Sequence, residues 1–254
     1  MVKALNRSLD SSVEDRLFAD LQREGVACLE DAVTPEYLQL CRARVEELLR
    51  EKGERYFTII QPWKENPSFP FELLATDPAF LALMRNLSVR GHSPDSVAGQ
   101  ELYNVLRVIA GQDSGTRAFE FHYDATVVTI LMPLFIPGGE PNKSGDLVAL
   151  PLHRGYRRFA LLNVIEKVLL QNPIAYRLYG RRFGKGDRNV VKLKSGNLYF
   201  FWGYRTLHGN LPCEPNRRRA TLLFHYGDPH RSSLLTKGIL RLRRLREQIR
   251  LGAR

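Results

Sequence analysis

Thr116 to Phe135, TRAFEFHYDATVVTILMPLF, is the stretch whose reading decides the fold. Four more runs rich in Val, Tyr, Phe and Thr share its texture: ELYNVLRVIAG (101–111), DLVALPLH (146–153), NVVKLKSGNLYFFWG (189–203) and RRATLLFHYG (218–227). Turns of Gly, Pro, Asn and Asp separate them, which is the pattern of an antiparallel barrel or sandwich. Upstream the pattern is helical. Residues 11–24 open with Ser, carry Val13, Leu17 and Leu21 as an apolar stripe and stop at Gly25; VACLEDAV (26–33) follows as a predicted strand. Thr34-Pro35 is an N-cap with proline in the first helical position, launching a predicted helix to about Lys52 with Leu38, Cys41, Val45, Leu48 and Leu49 on one face. Asp77-Pro78 repeats the device before a helix ending near Gly91.

The expected organisation is one α+β domain over 1–254: a mainly helical support region (1–99), a β-barrel core (100–230) with an insertion at 154–188, and a tail at 234–254. The centre of the insertion, FALLNVIEKVLLQNPIAYRLYG, and the tail, with Leu235, Ile239, Leu242, Leu245 and Ile249 at helical spacing, read as helices.

Net charge is +11 and localised. Pro151 to Lys194 holds eleven Lys and Arg against Glu166 and Asp187, and Leu234 to Arg254 holds seven against Glu247. These stretches point to an anionic partner or substrate, or simply to a solvated surface; no DNA- or RNA-binding motif accompanies them, so nucleic acid is not the expected partner. The longest mostly apolar run, Val127–Pro137, is about half the roughly 20 residues a spanning helix needs. The N-terminus lacks the apolar core of a secretory signal. Cys28, Cys41 and Cys213 are an odd number without metal-site spacing. The expected setting is cytoplasmic.

Within 116–135, His122 and Asp124 are two apart in a β-rich run, so both side chains enter one cavity if the segment is a strand. An inward imidazole and carboxylate are costly in a core unless something binds them. A third ligand, His208, follows the run NLYFFW in the segment TLHGNLP, where a loop can return it to the barrel mouth. Two histidines and one carboxylate are the facial set that binds Fe(II) and leaves positions open for O2 and an organic acid. Eleven residues past His208, Arg219 and Thr221 share a strand face, and a guanidinium with a hydroxyl is a receptor for a carboxylate. Together these describe a site for 2-oxoglutarate, its keto acid end on iron and its far carboxylate on Arg219. His92, His153 and His230 lie outside this register; His225 shares the site-facing parity and reads as a supporting residue. Phe200 and Trp202 share strand parity, which would let them line that cavity, but they read first as core filling.

With these residues in place, the sequence resembles the phytanoyl-CoA dioxygenase-like branch of the Fe(II)/2-oxoglutarate oxygenases. FADLQREGVACLEDAVTPEYLQLCRARVEELL resembles that family's opening helix, strand and helix, and ELLATDPAFLALMRNLSVRG its next helix. FHYD, SGNLYFFWGYRTLHGN and RRATLLFHY resemble its metal pair, distal histidine and closing strand. The resemblance implies a double-stranded β-helix (a jelly-roll, cupin-like barrel), His122, Asp124 and His208 as metal ligands, Arg219 and Thr221 as the 2-oxoglutarate receptor, and Asn210 near the cosubstrate. Halogenating relatives replace the carboxylate ligand with a small residue, so Asp124 implies hydroxylation. The basic insertion and tail have no counterpart in the resemblance. On charge alone they suggest an anionic, lipid-linked or CoA- or phosphate-bearing substrate, and peripheral contact of 234–254 with an anionic inner membrane face. A metal-dependent barrel enzyme without 2-oxoglutarate and a non-catalytic basic binding module are the two rival readings.

Overall fold

The computed structural model describes residues 2–62, 70–112, 120–138, 143–150, 178 and 189–229. The tail at 234–254, nearly all of the insertion at 154–188, His153 and His230 lie outside them. Among the described residues no helix is long and apolar enough to cross a membrane.

The helices start where local capping chemistry places them. Helix α1 (Ser11–Glu24) is capped one residue before the expected Ser, by Asp10, whose carboxylate accepts the Val13 amide at 3.1 Å. It ends at Gly25, left-handed at φ 72°, and buries Leu17 and Leu21. Helix α2 (Pro35–Lys52) begins at Thr34, whose hydroxyl accepts the Tyr37 amide, and buries Tyr37, Cys41, Val45, Leu48 and Leu49. Leu38, expected on that face, packs only at its edge. A single turn, α3 (Glu72–Ala75), precedes α4 (Pro78–Gly91), where Asp77 caps the Phe80 amide at 2.9 Å.

Strand β1 (Val26–Leu29) is shorter than the predicted 26–33. Asp31 turns to φ 46° and gives its amide to the Asn197 side chain, which ends the ladder, and Val33 instead bridges Leu5. The remaining strands are β2 (Phe57–Ile60), β3 (Tyr103–Ile109), β4 (Val128–Phe135), β5 (Leu147–Leu150), β6 (Val190–Val191), β7 (Leu198–Phe201), β8 (Leu207–Asn210) and β9 (Arg219–Tyr226). They form an antiparallel sheet of order β1-β7-β4-β9-β3-β2 and a smaller one of order β6-β5-β8.

Cross-strand register divides the large sheet into two faces. Phe200, Ile130, Phe224 and Asn104 lie in one row, and Phe201, Thr129, His225 and Tyr103 in the next, pointing the other way. The first face, with Phe200, Phe224 and the neighbouring Trp202, packs on α1, α2 and α4 in the main core. Each of these large apolar side chains contributes about 1.5–3 kcal/mol by leaving water. Phe200 and Trp202 are core residues, as expected, and do not line the cavity between the sheets. The second face meets the small sheet: Leu131, Tyr199 and Phe201 pack against Leu147, Ala149 and Leu193. The polar residues of that inner face, Thr129, His225, Arg107, Thr221 and Arg219, therefore look into the space between the sheets.

Candidate metal centre and anion site

His122 and Asp124 do not occupy a regular strand. β4 begins only at Val128, and His122 makes a lone bridge with His208. His208, expected in a loop, sits in β8 of the small sheet. The correction has a physical reason: the His122 amide donates to the His208 carbonyl at 2.9 Å and the His208 amide returns the bond at 3.0 Å. This reciprocal pair locks the two chain segments together, with ring centroids 4.4 Å apart.

Each imidazole is oriented by its other nitrogen. His122 Nδ1 lies 2.9 Å from the Glu120 carbonyl and His208 Nδ1 lies 3.0 Å from the Thr206 carbonyl. A carbonyl only accepts, so each Nδ1 carries a hydrogen and each Nε2 is the nitrogen turned toward the site. The two Nε2 atoms stand 3.7 and 3.6 Å from the oxygens of Asp124. One ligand atom from each of His122, Asp124 and His208 lies within 4.8 Å of the others, a spacing that suits one metal ion.

Asp124 is itself held. Its amide donates to the Gly203 carbonyl at 2.9 Å, and Thr129 Oγ1 donates to its Oδ2 at 2.5 Å. Thr129 has one proton and gives it to the carboxylate, so His225 Nδ1, 3.1 Å away, donates to the hydroxyl in turn. Gly203 makes room for this arrangement: a Cβ there would stand 2.5 Å from Thr129 Oγ1 and 2.9 Å from Asp124 Cβ. Burial pushes the Asp124 carboxyl up. The charges of His208, His225 and His122 and the Thr129 hydrogen bond outweigh burial and hold it at about 2. Burial pushes His208 down to about 4 against the opposing pull of Asp124. Both groups thus rest in their metal-binding protonation states.

The centre opens on a cavity of about 110 Å³ whose lining includes Arg219, Thr221, Asn210, His225 and Arg107. Arg219 is 2% exposed and its Nε is buried with no partner among the described residues. Burial lowers its pKa to about 10. Gly145, at φ 71°, leaves space for it, because a Cβ there would stand 2.5 Å from Arg219 Cδ and from Cys213 Sγ. Asn210 reaches the same cavity and donates its side-chain amide to the Leu211 carbonyl. Arg218, one residue earlier, points to the outside, where Glu46 and Glu54 hold it. His92 caps the end of α4.

The structure therefore brings all six sequence-designated residues to one cavity. Thr129, Gly203, Gly145 and Arg107 were missed. Arg107 carried a readable signal, since it interrupts the apolar alternation of YNVLRVI on the parity of Tyr103 and Val105. The glycines act through close approach between distant segments, which leaves no local trace.

Solved structures of similar fold were found. The non-heme alpha ketoglutarate dependent epimerase SnoN from nogalamycin biosynthesis superposes with a TM-score of 0.55 at 18% identity, over 86% of this chain and 84% of that one. AviO1 from Streptomyces viridochromogenes gives 0.54 at 16%, over 88% and 97%. HygX from Streptomyces hygroscopicus gives 0.52 at 15%, over 84% and 86%. The fold is a double-stranded β-helix. At these identities the likeness is one of fold. No protein-family model matches the chain, and no curated protein sequence matches it.

Proposed function

We propose that the protein is a non-haem Fe(II)- and 2-oxoglutarate-dependent oxygenase that hydroxylates a C–H bond. The observation that carries this reading is the pair of imidazoles whose Nδ1 atoms are tied to backbone carbonyls while their Nε2 atoms converge with Asp124. Two nitrogens and one carboxylate oxygen, ringed by a cavity, fit a divalent metal with open coordination positions. The buried guanidinium of Arg219 favours 2-oxoglutarate over an organic ligand with a single acid group, because it offers the far carboxylate a charge-assisted partner. HygX was solved with nickel and 2-oxoglutarate bound, and SnoN in complex with Fe3+ and alpha ketoglutarate, which supports the same ligands here.

When bound, the iron and its cosubstrate supply the O2 activation that side chains alone do not. The chain's own residues hold and orient. His122 and His208 present their Nε2 atoms, Thr129 and Gly203 fix Asp124, Arg219 and Thr221 take the carboxylate, and Phe201 and Leu131 line a cavity that limits water. An anionic handle on the substrate, and membrane contact through 234–254, are further parts of the proposal and rest on sequence charge alone.

The test is anaerobic loading with Fe(II) and 2-oxoglutarate, read by the weak visible charge-transfer band, then a search for substrate-stimulated succinate release. His122→Ala and Asp124→Ala should each lower iron content and abolish turnover. Full iron occupancy with normal succinate production in either variant would overturn the ligand assignment. Iron uptake without any 2-oxoglutarate band would turn the assignment to a metalloenzyme of another kind.

A further inference from the structure

Arg107 has no place in the site as read from the sequence, yet it faces the same cavity as Arg219. In the β3–β9 ladder Arg107 is the direct partner of Thr221, and Ile109 is the partner of Arg219. Arg107, Thr221 and Arg219 therefore form a triangle on the inner face, two residues apart along β9 and one strand apart across the ladder. Two guanidiniums beside each other in a small cavity repel, and each is costly to bury without an anion. The anions within the described residues do not satisfy them. Asp146, whose charge acts on Arg219, is committed to the Ser144 hydroxyl at 2.6 Å and the Leu193 amide at 2.9 Å. Arg107 meets Glu120 only at 3.6 Å, longer than the 2.7–2.9 Å of a charge-assisted hydrogen bond, and its side chain is 17% exposed. The Nε atoms of both arginines are buried and have no partner among the described residues.

We propose that Arg107 is the second cation of the carboxylate receptor, so that the far carboxylate of a dicarboxylate is clamped between Arg107 and Arg219 with Thr221 as the third donor. A carboxylate offers about four lone-pair sites, enough for two guanidiniums and a hydroxyl. The weak contact with Glu120 makes Arg107 available: this ion-pair partner is too far to compete with an anion that seats at hydrogen-bond distance, and the Tyr56 ring, 5.8 Å from the guanidinium carbon, carries no charge. The proposal deepens the reading of the site as a 2-oxoglutarate site and rests on it.

The test uses the full chain and two probes. Glutarate, which has the carboxylates without the keto chelate, is titrated into the metal-free protein by calorimetry and thermal shift. 2-Oxoglutarate is titrated into protein loaded with Co(II), which does not turn over. Arg107→Gln should weaken both probes at least about tenfold, as Arg219→Gln should, and flatten the salt dependence of binding. Pyruvate, which has the chelate without the far carboxylate, should bind the Co(II) protein unchanged. Arg107→Lys keeps the charge without the fork and should restore part of the affinity; it also serves if the Gln variant does not fold. Arg218→Gln, on the outer surface, should bind both probes as the wild type does. Unchanged 2-oxoglutarate and glutarate affinity in Arg107→Gln, or an equal loss for pyruvate, would overturn the clamp. If the wild type binds glutarate through Arg107 but shows no 2-oxoglutarate chelation on metal, the clamp stands and the proposed activity falls.

Discussion

Gly203→Ala is a small change at a position that bears no chemistry, and it should disable the metal centre. The added Cβ would stand 2.5 Å from Thr129 Oγ1, 2.9 Å from Asp124 Cβ and 3.0 Å from Asp124 Oδ2. The backbone has little room to retreat, because the Gly203 carbonyl holds the Asp124 amide at 2.9 Å. Relief must come from Thr129 turning its hydroxyl away or from Asp124 moving off the histidines. The first loses a hydrogen bond to a charged group, about 1.5–3 kcal/mol; forcing the contact instead costs a similar 1–3 kcal/mol. Either way the carboxylate is misplaced, and loss of a group that orients a metal ligand weakens affinity about 10–100-fold. Calorimetric titration of Co(II) into the variant, with thermal unfolding beside it, reads both effects. In a Thr129→Ala background the closest contact disappears, so adding Gly203→Ala there should cost much less metal affinity than it does in the wild type. Wild-type affinity in the single variant, or full additivity in the double, would refute the steric account.

Two other consequences follow from the same geometry. Thr129→Val keeps shape but removes the hydroxyl, leaving Asp124 Oδ2 and His225 Nδ1 without their shared partner; Co(II) affinity should fall about tenfold or more and Thr129→Ser should recover most of it, whereas equal loss in both would assign Thr129 to packing. The metal-free protein should lose stability as pH falls. Between about 6.5 and 4 the unfolded chain takes up a proton that buried His208 refuses, and between about 4 and 2 the same holds for Asp124. The unfolded state thus binds more protons over both windows, so the melting temperature drops with acid, and His208→Gln should flatten the upper window. A melting temperature constant from pH 7 to 4 would count against a His208 held neutral by burial.

The helical half of the fold was legible because its signals are local. Thr34-Pro35 and Asp77-Pro78 each put an acceptor three residues before the amide it caps, and both caps are in place. Five of the six strands of the large sheet were legible from composition, since both of its faces are covered and β4 reads as a nearly continuous apolar run; the edge strand β2 was not anticipated. β1 was overextended because VACLEDAV gives no warning of the positive φ at Asp31, which depends on Asn197, 166 residues away.

The candidate site was legible for a related reason, and by an argument that was partly wrong. Strand parity correctly put Arg219, Thr221 and His225 on one face, because β9 is a regular strand paired on both sides. The same parity was applied to His122 and Asp124, where no regular strand exists; they converge instead through the reciprocal backbone bonds to His208 and the bond to Gly203. Residue type survived the error. An imidazole and a carboxylate two apart have few reasons to be inside a barrel, whatever the local backbone. Arg107 shows the opposite failure. Its parity was readable, but its meaning depends on the register that sets it beside Thr221 and on the distance that keeps Glu120 from satisfying it. Pair chemistry of that kind is a property of the assembled sheet, so the second arginine could be placed only once the strands were.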